Sequence, residues 1–423
     1  MAGGACTRVV DAVTVAACLP GSTDSECGST AWPIAGHSSN SDPWLVQHNL
    51  VITSMSPTVL VLNFDNGVNM ADTETYVGQV IAALAAGSIY HGYSNSSAKP
   101  FLNYTPKFVD LRDNSQPPAI NQNIPQTPSG AFDPTALFSA QFAPKYGFAD
   151  SSSPSGYLTL CQLFEKGIIN EVWIQDGGDM QTTPRAPLYA ERKQVYDGDG
   201  HAVPNEFEPC ISGGSDMTCL NVECGVTVRM AHLDPSPNGG PGCDLYVRGW
   251  GIDGMWGALP ALATDANAFL NQNFDTRFGV SFDGWSEVCD YSGTQCVSYP
   301  NQTEAVSTAG ATASFDIQPF LQGCGNSQFP PNGTFRFDVD NSTAVQSRCE
   351  HFGLHDGDAG MDQYLPYPPS EIATLDATYT GNSRCNAGWE VYWRQSMPGY
   401  QNLATSADGT GTPMPNWWPV LFY

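Results

Sequence analysis

The sequence predicts an α/β fold: a mainly parallel sheet flanked by helices, with long disulfide-tied loops. Three observations predict it. Short apolar runs end on acids or glycines, helical spacings alternate with those runs, and at 157–174 a helix, a glycine and an apolar strand follow in direct succession.

The first run, Val59 to Phe64 in "SPTVLVLNFDNGVN", stops at Asp65 and Asn66. In "ADTETYVGQVIAALAAGS" the residues Val77, Val80, Ile81, Leu84 and Ala85 recur at helical spacing, with Asp72 as N-cap and Gly87 as stop. A strand is expected over "KFVDLRD" at 107–113. After a Pro/Gln/Asn-rich loop, Tyr157, Leu160, Cys161 and Phe164 share a helical face that Gly167 closes. The run Ile168 to Ile174 then ends on Gln175, Asp176, Gly177, Gly178 and Asp179. Further along, "CGVTVRMAHLD" reads as a strand and "GMWGALPALATDANAFLNQ" as a helix bent or broken at Pro260. In "GWEVYWRQSMP" the alternation of Trp389, Val391 and Trp393 with Glu390, Tyr392 and Arg394 reads as a last strand. Residues 1–45 form an irregular, disulfide-tied arm, and 46–423 a single α/β domain with long insertions. The aromatic tail "PMPNWWPVLFY" is expected to pack back on the core ahead of serving as a ligand platform or a homo-oligomer contact.

Acids outnumber bases 42 to 16, so the formal charge is -26, and such a field repels nucleic acid and anionic membranes. No run of apolar residues is long enough for a transmembrane helix. Thirteen cysteines in a Lys-poor chain fit an oxidising compartment. No C-x2-C pair occurs, so disulfides are favoured over zinc. Cys289 and Cys296 are close enough in sequence to clip a hairpin-like loop, and Cys324 with Cys349 to close a Pro/Asn-rich one. Sequons at Asn95, Asn103, Asn301, Asn332 and Asn341 complete the picture of a secreted, extracellular glycoprotein.

Several chemistries are excluded. The chain lacks G-x-S-x-G, H-E-x-x-H, a phosphate-binding G-x-x-x-x-G-K-[S/T] and a G-x-G-x-x-G loop after the first strand. What remains is a set of polar residues at strand ends: Asp65, Asp110 and Asp113, Asp176 and Asp179, and the Arg229, His232, Asp234 group. Above a parallel sheet, Asp65, Asp176 and Asp179 with Arg229 and His232 would supply an acid, a base and a cationic anchor, and paired carboxylates are the chemistry of glycoside hydrolysis. The alternative for each acid is a loop cap accepting backbone N–H groups. A second stretch, "CEHFGLHDGDAGMD", puts Asp356, Asp358 and Asp362 at a D-x-D-x-G-x-D spacing whose hard oxygens suit calcium, with His351 and His355 peripheral; a solvated turn is the default. The expected partner is an extracellular glycan or glycoconjugate, for a hydrolase or for a noncatalytic carbohydrate-binding or cell-surface assembly protein. Tryptophan and tyrosine faces suit pyranose rings.

The segments "CQLFEKGIINEVWIQDGG", "CGNSQFPPNGTFRFDVDN" and "WEVYWRQSMPGYQN" with "NWWP" resemble the spaced signatures of a family of secreted proteins from bacteria and some eukaryotes, over roughly 55–423. The resemblance implies secretion and a common fold, and no established activity. The family pattern has an aromatic and a glycine after EVWI, a helix bearing His and Glu, and a His before PPN. Here Gln175 follows the strand, "GIDGMWGALPAL" has no His/Glu pair, and Gln328 precedes Phe329 and Pro330. These departures weaken any inherited catalytic assignment.

Overall fold

The computed structural model describes residues 31–33, 50–95, 97–114, 121–130, 132–176, 324–325, 330–332, 341–354, 365–367, 369–379, 387–405, 414 and 416–419. It also gives the backbone of short strands at 194–196, 202–207, 227–232, 288–289, 296–297 and 321–322. Its centre is a four-stranded parallel sheet of β1 (Thr58–Asn63), β2 (Thr105–Asp110), β3 (Glu171–Asp176) and β4 (Thr227–His232), in the spatial order β2-β1-β3-β4. An α/β architecture with a parallel sheet and flanking helices is therefore present, as the strand and helix alternation predicts.

Helix α1 (Met70–Gly87) connects β1 to β2. Its N-cap is Asn69, whose Oδ1 accepts the Asp72 N–H at 2.9 Å; Asp72, the expected cap, instead lies three positions into the helix. Asp72 reads as a cap because acids favour the first turn as well as the cap position, and the helix dipole stabilises them there. Helix α2 (Leu160–Glu165) precedes β3 and opens with a capping box between Thr159 and Gln162. It ends at Gly167, whose φ of 66° suits a residue without Cβ.

The two faces of the sheet bury different sets of side chains. Val59, Val61 and Trp173 pack with α1 residues Val77, Val80 and Leu84, while Leu60, Leu62, Val172 and Ile174 pack with α2 residues Leu160, Leu163 and Phe164. The chain therefore covers one face between β1 and β2 and the other between β2 and β3. On the α1 side lie α3 (Pro369–Tyr379) and α4 (Ala387–Ser396).

The α4 segment corrects the expected final strand. Trp389, Val391, Tyr392, Trp393, Arg394 and Gln395 are all buried, so apolar and polar positions alike meet protein and the alternation carries no facing information. The segment packs on α1 and α3, beside the buried tail residues Trp417 and Trp418. Val391 is its one β-branched residue, and the packing of its buried side chains outweighs the low helix propensity of Gly388 and the aromatics. Gly87, expected as a stop, is the last helical residue, and a Cβ there would lie 3.0 Å from Arg394 Cβ. The predicted helix around Pro260 lies outside the described residues. Cys324 and Cys349 are disulfide-bonded, and Cys289 and Cys296 are register partners in an antiparallel pair. No helix among the described residues is long and apolar enough to cross a membrane.

Candidate functional site

Because β2 and β3 lie on opposite sides of β1, the strand order reverses between β1 and β3. In an open parallel sheet such a reversal, at the carboxyl ends of the two strands, is where a ligand characteristically binds. Asn63, Asp110 and Gln175 stand level there, since Asn63 is the register partner of both the others.

The polar groups at this reversal form a connected chain. Asn63 Nδ2 donates to Thr73 Oγ1 of α1 at 3.0 Å, and Asn63 Oδ1 accepts the Asp65 N–H at 2.9 Å. Asp65 Oδ1 accepts the Gly67 N–H at 2.7 Å, and its Oδ2 accepts from Gln175 Nε2 at 3.2 Å. Gln175 is completely buried, and its Oε1 has no hydrogen-bond partner among the described residues. Asn121, also buried, donates to the Phe64 and Leu111 carbonyl oxygens at 2.7 and 3.1 Å, tying together the loops that leave β1 and β2.

The neighbouring acids are similarly engaged. Asp110 is held below the usual carboxylate range chiefly by its hydrogen bonds from Arg112, whose Nη2 lies 2.7 Å from Asp110 Oδ2. Asp113 accepts from Asn66 Nδ2 at 2.8 Å and from the Gln122 N–H.

This geometry revises the predicted set. Asp65 does lie on the same edge as Asp176, but it is only 5% exposed and both its oxygens are bound, so it presents no free carboxylate to a crevice. An aspartate two residues before a glycine at a strand end satisfies the turn's own N–H groups first. Arg229 pairs in register with Trp173, three residues before the end of β4. His232 closes β4 as the register partner of Asp176. Asp179, Asp356, Asp358 and Asp362 lie outside the described residues. Among the described residues no group of three or more His, Cys, Asp and Glu side chains is placed to hold a metal ion.

A second polar cluster escaped the sequence reading. It lies at the far end of α1, where the 88–95 loop meets α4 and the segment held by Cys349. His91 adopts φ 51°, an uncommon conformation for a residue with a Cβ, while its N–H donates to the Gln395 carbonyl at 2.8 Å and its ring stacks on Tyr90 at 3.8 Å. Its Nε2 is buried without a partner among the described residues, and burial, with His351 second, lowers its pKa to about 4. Tyr93 contacts Tyr392 at 4.9 Å, and Tyr392 Oη donates to Glu350 Oε1 at 3.3 Å. Burial raises the Glu350 pKa. His91 and His351 are separated by 260 positions, so no local spacing could have paired them.

No protein-family model, curated protein or solved structure matches this chain.

Proposed function

We propose that the protein is a secreted glycoprotein that takes a neutral, hydroxyl-bearing ligand, an extracellular glycan or glycoconjugate, at the strand-order reversal between β1 and β3. One observation carries the ligand class: the protein's own carboxylate takes the N–H that a bound anion would use. In doubly wound folds a phosphate characteristically sits between the first strand and the N-terminus of the next helix. Here Asp65 Oδ1 accepts the Gly67 N–H, Asn69 caps α1, and Asp72 puts a further carboxylate in its first turn. Anionic ligands are disfavoured by those charges as well as by the formal charge of -26. Neutral amides, by contrast, suit hydroxyl groups, and Asn63, Asn121 and Gln175 gather at this edge.

Between a hydrolase and a noncatalytic binder, the geometry favours the binder, because Asp65, Asp110 and Asp113 are all engaged in structural hydrogen bonds. One observation keeps the hydrolase as a second reading: Asp176 and His232 are adjacent on the last rung of β3 and β4, a carboxylate and an imidazole able to divide acid and base roles. Secretion and long disulfide-tied loops belong to the same proposal, supported by the Cys324–Cys349 bond and by a disulfide at Cys161.

The test is an array of neutral, sulfated and sialylated glycans with chromatographic detection of products, run on the protein and on Asp176→Asn. Retention of neutral glycans without products supports a binder. Products abolished by Asp176→Asn support the hydrolase. Retention of no glycan by the unsubstituted protein overturns the proposal.

A further inference from the structure

We propose that Gln175 Oε1 is the acceptor that reads a ligand hydroxyl or N–H group at the strand-order reversal, and that Asp65 is a positioning residue that fixes its polarity. This rests on the proposed glycan site and specifies what that site recognises.

Gln175 is completely buried one residue before the end of β3, and its carbonyl takes the Phe64 N–H at 3.1 Å, locking its backbone to the segment leaving β1. Its side-chain amide has one bonded end and one open end: Nε2 donates to Asp65 Oδ2 at 3.2 Å, while Oε1 has no partner among the described residues. Buried polar atoms are nearly always paired, so an open acceptor in a connected polar chain marks the place where a donor is missing.

The amide cannot relieve itself by turning over. An ionised carboxylate only accepts hydrogen bonds, so the amide nitrogen must face Asp65 and the oxygen must face away. Asp65 is itself fixed by the Gly67 N–H on Oδ1 and by its own N–H on Asn63 Oδ1. Asn63 is anchored to Thr73, whose Oγ1 donates to the Asn69 carbonyl at 3.1 Å. Polarity at Gln175 therefore propagates from the first turn of α1 through Asn63 and Asp65. A sugar hydroxyl can meet the open oxygen, whereas a carboxylate or sulfate oxygen there would face another acceptor.

Two variants test this on the same glycan array, each first checked for an unchanged thermal midpoint. Gln175→Met keeps the length of the side chain and removes the acceptor; about a tenfold loss of neutral-glycan retention is expected. Asp65→Asn keeps the shape, and its new amide donates to Gln175, which turns over and presents N–H outward. Neutral-glycan retention should then fall while sulfated or sialylated glycans gain, a reversal that mere loosening would not produce. If Gln175→Met does not fold, the isosteric Asp65→Asn carries the test alone. Unchanged retention by both folded variants, with the unsubstituted protein still binding glycans, would mean the open oxygen serves a buried water only and would overturn the inference while leaving the glycan site standing. Retention of no glycan by the unsubstituted protein would overturn both.

Discussion

Asp176 and His232 are register partners on the final rung between β3 and β4, at the carboxyl edge where the site is proposed. Neighbours that share a ligand or a hydrogen-bond network are energetically coupled, typically by about 0.5–3 kcal/mol. In a double-mutant cycle on glycan affinity, Asp176→Asn and His232→Gln should therefore be non-additive. Additive losses would separate the two residues functionally.

His91 makes stability depend on pH in a stated direction. Its pKa falls from the ordinary 6.5 to about 4 in the folded protein, so on acidification the unfolded chain takes up the proton first. Its contribution is whole above about pH 6.5 and is lost as pH falls towards 4, amounting to no more than about 3 kcal/mol. Glu350 acts oppositely: its raised pKa gives stability on the acid side that is lost as pH rises through the folded value. Tyr90, Tyr93, Tyr392, His351 and Glu371 complete the titratable surroundings. Denaturant midpoints measured from pH 7 to pH 4 should fall less steeply in His91→Asn, which tolerates positive φ and does not titrate. An unchanged slope would contradict the assignment.

Two glycines of α1 should respond in opposite directions to alanine. At Gly78 a Cβ meets nothing within 4 Å, so Gly78→Ala should stabilise by about 0.5–1 kcal/mol. At Gly87 the same Cβ lies 3.0 Å from both Cβ and Cδ of Arg394, a buried residue, so Gly87→Ala should destabilise by about 1–3 kcal/mol despite better helix propensity. Chemical denaturation of the two variants checks the sign of each.

The sequons should not be equally occupied. Asn95 and Asn103 are exposed, whereas Asn332 is 1% exposed and exchanges hydrogen bonds with Asn341, whose Nδ2 donates to the Asn332 carbonyl at 2.7 Å. Peptide mass spectrometry of protein secreted from a eukaryotic host, after enzymatic deglycosylation in heavy-oxygen water, should label Asn95 and Asn103 and leave Asn332 and Asn341 unlabelled. A label at Asn332 would contradict its place in the fold.

β1 and β3 are legible because each is a short apolar run closed by polar residues, and β3 follows its helix and Gly167 directly; β2 and β4 carry Lys107 and Arg229 within shorter apolar stretches. Edge acids were legible as positions but not as roles. Asp65 reads like a candidate acid until Gly67 and Gln175 are found on its two oxygens. The α4 segment misled because burial on all sides removes the periodicity that distinguishes helix from strand. In the sequence Gln175 stands out only as a departure from a family pattern; its importance arises from a contact with Asp65, 110 residues earlier, that no local pattern encodes.

The most direct test of the central claim is a crystal structure with the neutral oligosaccharide best retained on the array. The account predicts the sugar beyond the carboxyl ends of β1 and β3, with one hydroxyl within hydrogen-bond distance of Gln175 Oε1 and Gln175 Nε2 still on Asp65. A sugar bound elsewhere on the protein, with Gln175 Oε1 unchanged, would contradict it.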